Sequence, residues 1–308
     1  MIVYRELSSL ERDLGFPAST LYAVSNRLNR HYRKVELPKG DGTLRTLSVP
    51  DNLLKTIQRR IAQVLLPTLP VSPYATAYRP GGSVVKNARP HVGKPMVLKL
   101  DIYHFFDAVS YSRVKKEIFP PEIYSEQNRI LLSMLCCYQD RLPQGAPTSP
   151  AISNRILLEF DQEMGSWCAR RGISYTRYCD DLTFSGDFAP GDVIRFVRER
   201  LKVRGFLLNN RKIQVLRQGH RQSVTGVVVN QSLQAPASLR RELRQQVYYC
   251  RKFGVSDHLA RTKQTVSEED YLRRLLGQVN FALQINSADQ ELADARQWLV
   301  AEIRRKRA

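Results

Sequence analysis

Hydrophobic positions along the 308-residue chain change their period several times, and each change predicts an element. Residues 1–30 read as short helical pieces. From 33 to 49 the pattern fits a β-hairpin around "KGDG", turning at Asp41-Gly42. Leu54, Ile57, Ile61 and Leu65 then recur at helical spacing behind Asp51, a candidate N-cap, so 51–66 is predicted helical. "PMVLKLDI" at 95–102 is a short run of β-formers, as expected of a buried strand ending on a carboxylate. A long helix is predicted over 149–171 and two short strands over 174–185. Helix follows over 190–204, with Val193, Val197 and Leu201 on one face. Further strands are expected at 212–217 and 223–229, and the proline-punctuated stretches 66–73 and 119–122 should be loops. Beyond about 236 the pattern turns to polar, Arg-rich helices, with "QSLQAPAS" at 231–238 supplying a linker.

Composition adds a partner class. The hydrophobic fraction of 43% supports a sizeable core, while 48 Lys and Arg against 29 Asp and Glu give a net charge of +19. That excess points to a polyanion, although a scattered basic surface without a ligand would give the same count. Cys136, Cys137, Cys168, Cys179 and Cys250 form no CxxC pair and read as reduced thiols, not as a zinc site or disulfide framework. No apolar run reaches bilayer length and the N-terminus lacks signal-peptide zones, so a cytoplasmic protein without a membrane partner is expected.

Against this positive charge, "RYCDDLTFSG" at 177–186 sets Asp180 beside Asp181 between two strands. Alone, the pair is as compatible with a solvated turn as with a site. With Asp101 brought alongside by the fold, three carboxylates would repel one another unless a cation compensated. Hard oxygen ligands suit Mg²⁺, completed by substrate phosphates, and two such ions about 4 Å apart can clamp the oxygens of a phosphoryl transfer.

The order of the remaining motifs is specific. "KLDIYHFFD" at 99–107, "LPQGAPTSPAISN" at 142–154 and "YCDD" at 178–181 resemble palm motifs A, B and C of reverse transcriptases. The resemblance implies an α+β right-hand polymerase. Residues 1–94 would form N-terminal helices and fingers, 95–230 a palm of antiparallel sheet backed by helices, and 231–308 a basic helical thumb. Fingers elements would be inserted at about 111–142. It implies that Asp101, Asp180 and Asp181 are catalytic metal ligands for two Mg²⁺ ions, with Mn²⁺ as a substitute. Asp181 is the less direct of the three, since neighbours in an extended strand face opposite ways. Gln144 opens the turn that approaches the nascent base pair, and Phe106 stands at the aromatic gate that favours dNTPs. Asp107 reads as a structural acid or an N-cap, and Cys179 as a small apolar filler.

Upstream, "DGTLRTLSVPDNLLKTIQRRI" and "AYRPGGSVVKNA" look like fingers motifs, placing Arg45 and Lys39 at the triphosphate and Arg79 at phosphate or template. A solvated surface charge remains open for each. "GFLLNNRKIQVL" resembles motif D, whose lysine, here Lys212, is proposed to protonate the leaving pyrophosphate.

"NARPH" at 87–91 and "VTG" at 224–226 match two signatures of retron reverse transcriptases. Asn87, His91, Val224, Thr225 and Gly226 are thereby candidate RNA contacts. On the thumb, Arg240, Arg241, Arg244, Tyr248 and Arg251 mix cations with an aromatic ring, a combination suited to RNA. Retron enzymes bind a cognate structured non-coding RNA, prime from a guanosine 2′-OH and make branched RNA–DNA, called msDNA. They are associated with anti-phage defence and an accessory effector protein. Two alternatives stand beside this reading. A group II intron or diversity-generating reverse transcriptase is disfavoured by "NARPH" and "VTG", and a non-catalytic RNA-binding protein by the intact aspartates, "PQG" and Phe106.

Overall fold

In the computed structural model, residues 3–38, 42 and 44–306 are described. Two compact units emerge. The first comprises Met1–Gly82, Leu98–Phe184 and Phe188–Val215; the second comprises Ser83–Val97, Ser185–Asp187 and Leu216–Ala308.

The first unit begins with short helices α1 (Leu7–Leu14), α2 (Ala18–Ser25) and α3 (Leu28–His31), the first two burying Leu10, Leu14, Leu21 and Val24. Strands β1 (Tyr32–Pro38) and β2 (Leu44–Pro50) pair antiparallel, from Tyr32 opposite Pro50 to Pro38 opposite Leu44. Of the expected turn dipeptide, Asp41 lies outside the described residues. Helix α4 (Asn52–Val64) starts where the Asp51 carboxylate accepts the Leu54 N–H at 2.9 Å, satisfying a donor that has no partner within the helix. Its apolar stripe of Leu54, Ile57 and Ile61 is fully buried, each side chain contributing about 1.5–3 kcal/mol. A 3₁₀ turn at Leu66–Thr68 opens the otherwise irregular proline stretch that follows.

A five-stranded sheet carries the centre of this unit. Strands β4 (Ser174–Tyr178), β5 (Asp181–Gly186), β3 (Met96–Tyr103) and β6 (Leu207–Leu208) lie in that order, and β7 (Gln214–Arg217) also pairs with β3. β3 and β6 are antiparallel, with Ile102 opposite Leu208. Helices α6 (Tyr111–Glu117), α7 (Glu126–Cys136), α8 (Ser149–Ile156), α9 (Leu158–Ala169) and α10 (Pro190–Val203) share one core with it. Leu100, Leu182 and Phe184 from the strands meet Phe160, Val193, Val197 and Leu201 from the helices. The fold is thus α+β, an antiparallel sheet backed by helices.

Sequence and structure differ in three places. The helix expected over 149–171 is broken at Leu157, whose backbone (φ −91°, ψ 4°) leaves the helical region. The strand expected over 223–229 is a tight hairpin of β8 (Ser223–Val224) and β9 (Val227–Val228), because Thr225 and Gly226 both take positive φ, 46° and 83°. β6 was not anticipated, since two residues show no period.

The second unit has its own core. Helices α5 (Val84–Ala88), α11 (Ala237–Phe253), α12 (Val255–Arg261), α13 (Glu268–Ile285) and α14 (Gln290–Arg305) bury Ala88, Leu243, Val247, Leu259, Leu272, Leu275, Val279 and Leu299, with Val224 and Val227 of the hairpin.

Candidate functional site

The strand-end aspartate and the aspartate pair are neighbours. The Ile102 N–H donates to the Asp180 carbonyl at 3.1 Å, and the Asn209 N–H to the Asp101 carbonyl at 2.8 Å. β3 is therefore held between the β4–β5 turn and the segment after β6. The Asp101 side chain is buried, and both its oxygens are engaged. Asn209 Nδ2 donates to Oδ1 at 2.8 Å and Lys212 Nζ to Oδ2 at 2.7 Å. Burial raises the Asp180 carboxyl above the usual range, with the Asp101 charge adding to it. Asp181 is pushed up to about 6 by burial, then by the charges of Asp180 and Asp101. Burial depresses Lys212, but the hydrogen bond to Asp101 and the field of the three aspartates outweigh it and raise its pKa.

Cys179, within the turn, has φ +63°, a conformation that L-residues seldom adopt and that a two-residue hairpin turn demands. Its thiol is buried and meets the Tyr78 hydroxyl at 3.4 Å, so Cys179 does more than fill space.

Beside the aspartates lies a cavity of about 720 Å³. Arg45, Asp101, Gln144, Asp180 and Lys212 line it; Asp181 and Phe106 are not among its lining residues. Asp181 opens β5, half-buried, within the field of Lys99. The Gln144 loop is docked on the hairpin, its carbonyl accepting the Ser48 N–H at 2.9 Å. Gly145 (φ +117°) permits that approach, since a Cβ there would lie 2.8 Å from the Ser48 carbonyl oxygen. Phe106 is half-buried, packing on the core with its ring 5.3 Å from that of Phe105. Asp107 lines the cavity, pairs with His104 at 3.1 Å and caps no helix; Ser110 caps α6 instead. The exposed Arg79 donates to the Ser72 carbonyl at 2.8 Å and does not line the cavity. Lys39 falls outside the described residues.

In the second unit the two signature words touch. Asn87 Nδ2 donates to Thr225 Oγ1 at 3.2 Å, and His91 Nδ1 lies 2.7 Å from Ser185 Oγ. Asn87, His91 and Val224 have no exposed surface. They differ in this from the RNA contacts expected of them: Asn87 ties α5 to the β8–β9 hairpin and His91 reaches Ser185 of β5, and of the five only Thr225 and Gly226 reach the surface. Burial and then Lys94 hold the His91 imidazole down at about 3, so it is neutral.

On α11 the basic residues divide. Arg244 bonds Asp289 at 3.2 Å and pairs with Glu291, Arg240 lies 3.8 Å from Asp289, and Arg251 donates to the Asp294 carbonyl. Exposed Arg241 holds no ion pair among the described residues, and Tyr248 presents half its surface.

Three polar residues around the turn went unnoticed in the sequence: Asn209, Asp161 and Arg177. Arg177 and Asp161 are fully buried and paired at 2.7 Å. A charged residue at an inward position of the "SYTRY" strand was the available signal.

Among the described residues, no three His, Cys, Asp or Glu side chains form a ready metal-binding group. The donor set nevertheless fits a hard divalent cation. The Asp101 charge adds to the raised Asp180, and both add to the raised Asp181, so the site calls for positive charge that the Lys212 ammonium supplies in part. No helix among the described residues is long and apolar enough to cross a membrane.

Residues 37–242 match the family model described as reverse transcriptase (RNA-dependent DNA polymerase). The retron Mx65 reverse transcriptase of Myxococcus xanthus is 38% identical over 235 residues, covering 70% of this chain and 55% of that protein. The retron Mx162 enzyme of the same organism is 33% identical over 284 residues, 79% of this chain and 58% of its own length. The chain thus spans somewhat over half the length of these two relatives. The retron Ec83 reverse transcriptase of Escherichia coli is 30% identical over 281 residues, with 86% of each chain covered. On these matches, around an aspartate site of this geometry, the chain belongs to the reverse transcriptases and, among them, to the retron type.

Proposed function

We propose that this chain is an RNA-directed DNA polymerase that copies part of a cognate structured RNA into DNA. The observation that carries the reading is the placing of Asp101 against the Asp180 turn at the rim of a cavity shared with Arg45, Gln144 and Lys212. Three carboxylates close enough to feel one another's charge meet there, in a chain whose net charge is +19.

Reverse transcriptases use divalent metal ions, and Asp101 and Asp180, with Asp181 as the third carboxylate, would hold them here. Mg²⁺ is the ion proposed, two per site, with Mn²⁺ as a substitute. Bound there, the ions would activate the attacking hydroxyl and neutralise the triphosphate. The chain's own residues do the rest. Arg45 binds the incoming triphosphate through its planar fork, and the Gln144 loop, docked on Ser48, orients the base pair. Lys212, already cationic beside Asp101, delivers a proton to the leaving pyrophosphate. Phe106, beside the cavity-lining Phe105, is the proposed gate against a ribose 2′-OH, so dNTPs are the substrates.

The retron assignment extends the proposal. The RNA is a structured non-coding one, synthesis starts from a guanosine 2′-OH, and the product is branched msDNA. The setting is cytoplasmic anti-phage defence with an accessory effector protein. Support comes from the Asn87–Thr225 bond that joins the two retron signatures. Fingers, palm and thumb are assigned to 1–94, 95–230 and 231–308, and RNA is gripped through Arg241, Tyr248 and the Thr225-Gly226 turn, with Arg79 a further phosphate contact.

The test is to isolate nucleic acid that co-purifies with the protein and treat it with a debranching enzyme. Branched RNA–DNA encoded at a single locus is expected; random cellular RNA would contradict the retron reading.

A further inference from the structure

Arg177 is the largest fully buried side chain among the described residues, and its hydrogen bonds converge on the β4–β5 turn. Nε and Nη2 grip the Asp161 carboxylate of α9 at 2.7–3.1 Å. Nη1 donates to Asn154 Oδ1 of α8 at 3.2 Å and to the Cys179 carbonyl at 2.9 Å. Asp161 Oδ1 also accepts the Tyr175 hydroxyl at 2.8 Å, so the acceptor is fixed from a second side. The Arg177 backbone is held too, its N–H by the Tyr74 carbonyl and its own carbonyl by the Thr76 N–H, both at 2.8 Å.

We infer that Arg177 is a positioning residue of the active site: its guanidinium grips the carbonyl of Cys179, the peptide that leads directly into Asp180, and so sets where the Asp180 carboxylate stands. The inference rests on the proposed reading of the aspartates as metal ligands. Its physical basis is local. Cys179 sits at φ +63° without being glycine, a state that persists only where surrounding contacts over-determine it. The planar fork can satisfy Asp161, Asn154 and the Cys179 carbonyl together, which a lysine ammonium at the same place cannot. Asn154 belongs to the "PTSPAISN" helix, so Arg177 also registers that helix against the turn.

A positioning role is separable from a role in stability. The double variant Arg177→Met with Asp161→Asn removes both buried charges together and leaves Tyr175 an acceptor, so it should melt within a few degrees of wild type. Arg177→Lys, the second variant, keeps a cation beside Asp161 but loses the fork. Mn²⁺ binding is followed by electron paramagnetic resonance on wild type, both variants and Asp180→Ala, alongside melting curves and the Mg²⁺ dependence of primer extension. Both variants are expected to bind Mn²⁺ about 10-fold more weakly, and to need correspondingly more Mg²⁺ for half-maximal extension, as loss of a ligand-orienting partner does. Folded variants with wild-type Mn²⁺ affinity and wild-type Mg²⁺ dependence would overturn the inference, as would wild-type Mn²⁺ binding that does not depend on Asp180. If wild type binds Mn²⁺ through Asp180 yet extends no DNA, the polymerase reading fails while the Mn²⁺ comparison still decides the role of Arg177.

Discussion

Lys212 Nζ stands 2.7 Å from Asp101 Oδ2, the sole cation paired with the buried aspartate among the described residues. The two residues come from segments 111 positions apart, brought together where Asn209 and Lys212 follow β6 across from the end of β3. Lys212 serves two ends in this position: it neutralises Asp101 and faces the cavity where pyrophosphate would leave.

Replacing Lys212 by methionine should therefore lower the single-turnover rate of nucleotide addition about 100-fold, the scale of a lost general acid, with little change in RNA affinity. Rapid-quench kinetics would measure it. An unchanged rate would make Lys212 a charge partner of Asp101 and nothing more.

The pH dependence follows from Asp181. Its carboxyl, held at about 6 by burial and by Asp180 and Asp101, ionises in the unfolded chain near 3.8, as a free aspartate does. Between these values the folded state holds more protons than the unfolded one, so this residue's contribution to stability falls as pH rises from about 4 to 6. In metal-free buffer, Asp181→Asn should thus be more stable than wild type at pH 7.5 by on the order of 1–2 kcal/mol, with the difference vanishing towards pH 4. Denaturant melts of the two proteins at both pH values test this. A constant difference across the range would contradict it.

Gly145 should tolerate no side chain. Alanine there combines a φ of +117° with a Cβ 2.8 Å from the Ser48 carbonyl oxygen, and should cost about 1–3 kcal/mol of stability. Because Ser48 N–H holds the Gln144 carbonyl, the KM for dNTP should rise as well. Thermal melts with steady-state kinetics would show both effects.

On the second unit, charge alone does not identify RNA contacts. Arg241→Ala should reduce the slope of log affinity for RNA against log salt by about 1 and leave stability unchanged. Arg244→Ala should instead lower stability by about 1–3 kcal/mol, because it strips a partner from Asp289, a buried carboxylate that caps α14. Binding titrations over a salt series, with melts, separate the two.

Much of this was legible in the chain. The α4 stripe, the β1–β2 hairpin, the strand that carries Asp101 and the motif order each follow from local pattern, and the family resemblance supplied the candidate site residues. What escaped was non-local. Asn209, Asp161 and Arg177 act through hydrogen bonds between segments far apart in sequence, which no period encodes. Asn87 and His91 were candidate RNA contacts through the retron signature, but Thr225 and Ser185 satisfy them in the interior, where buried polar groups need partners. The break at Leu157 has no Pro or Gly to announce it.

The central claim is that the aspartates polymerise DNA on an RNA template. The direct measurement is extension of a primed RNA template with dNTPs and Mg²⁺ by wild type and by Asp180→Ala, with RNA binding measured on the same preparations. The account predicts DNA synthesis by wild type and none by Asp180→Ala, at RNA affinities within about twofold of each other, since the carboxylate lost is one proposed to hold metal and not RNA. Equal synthesis by the two proteins would contradict it.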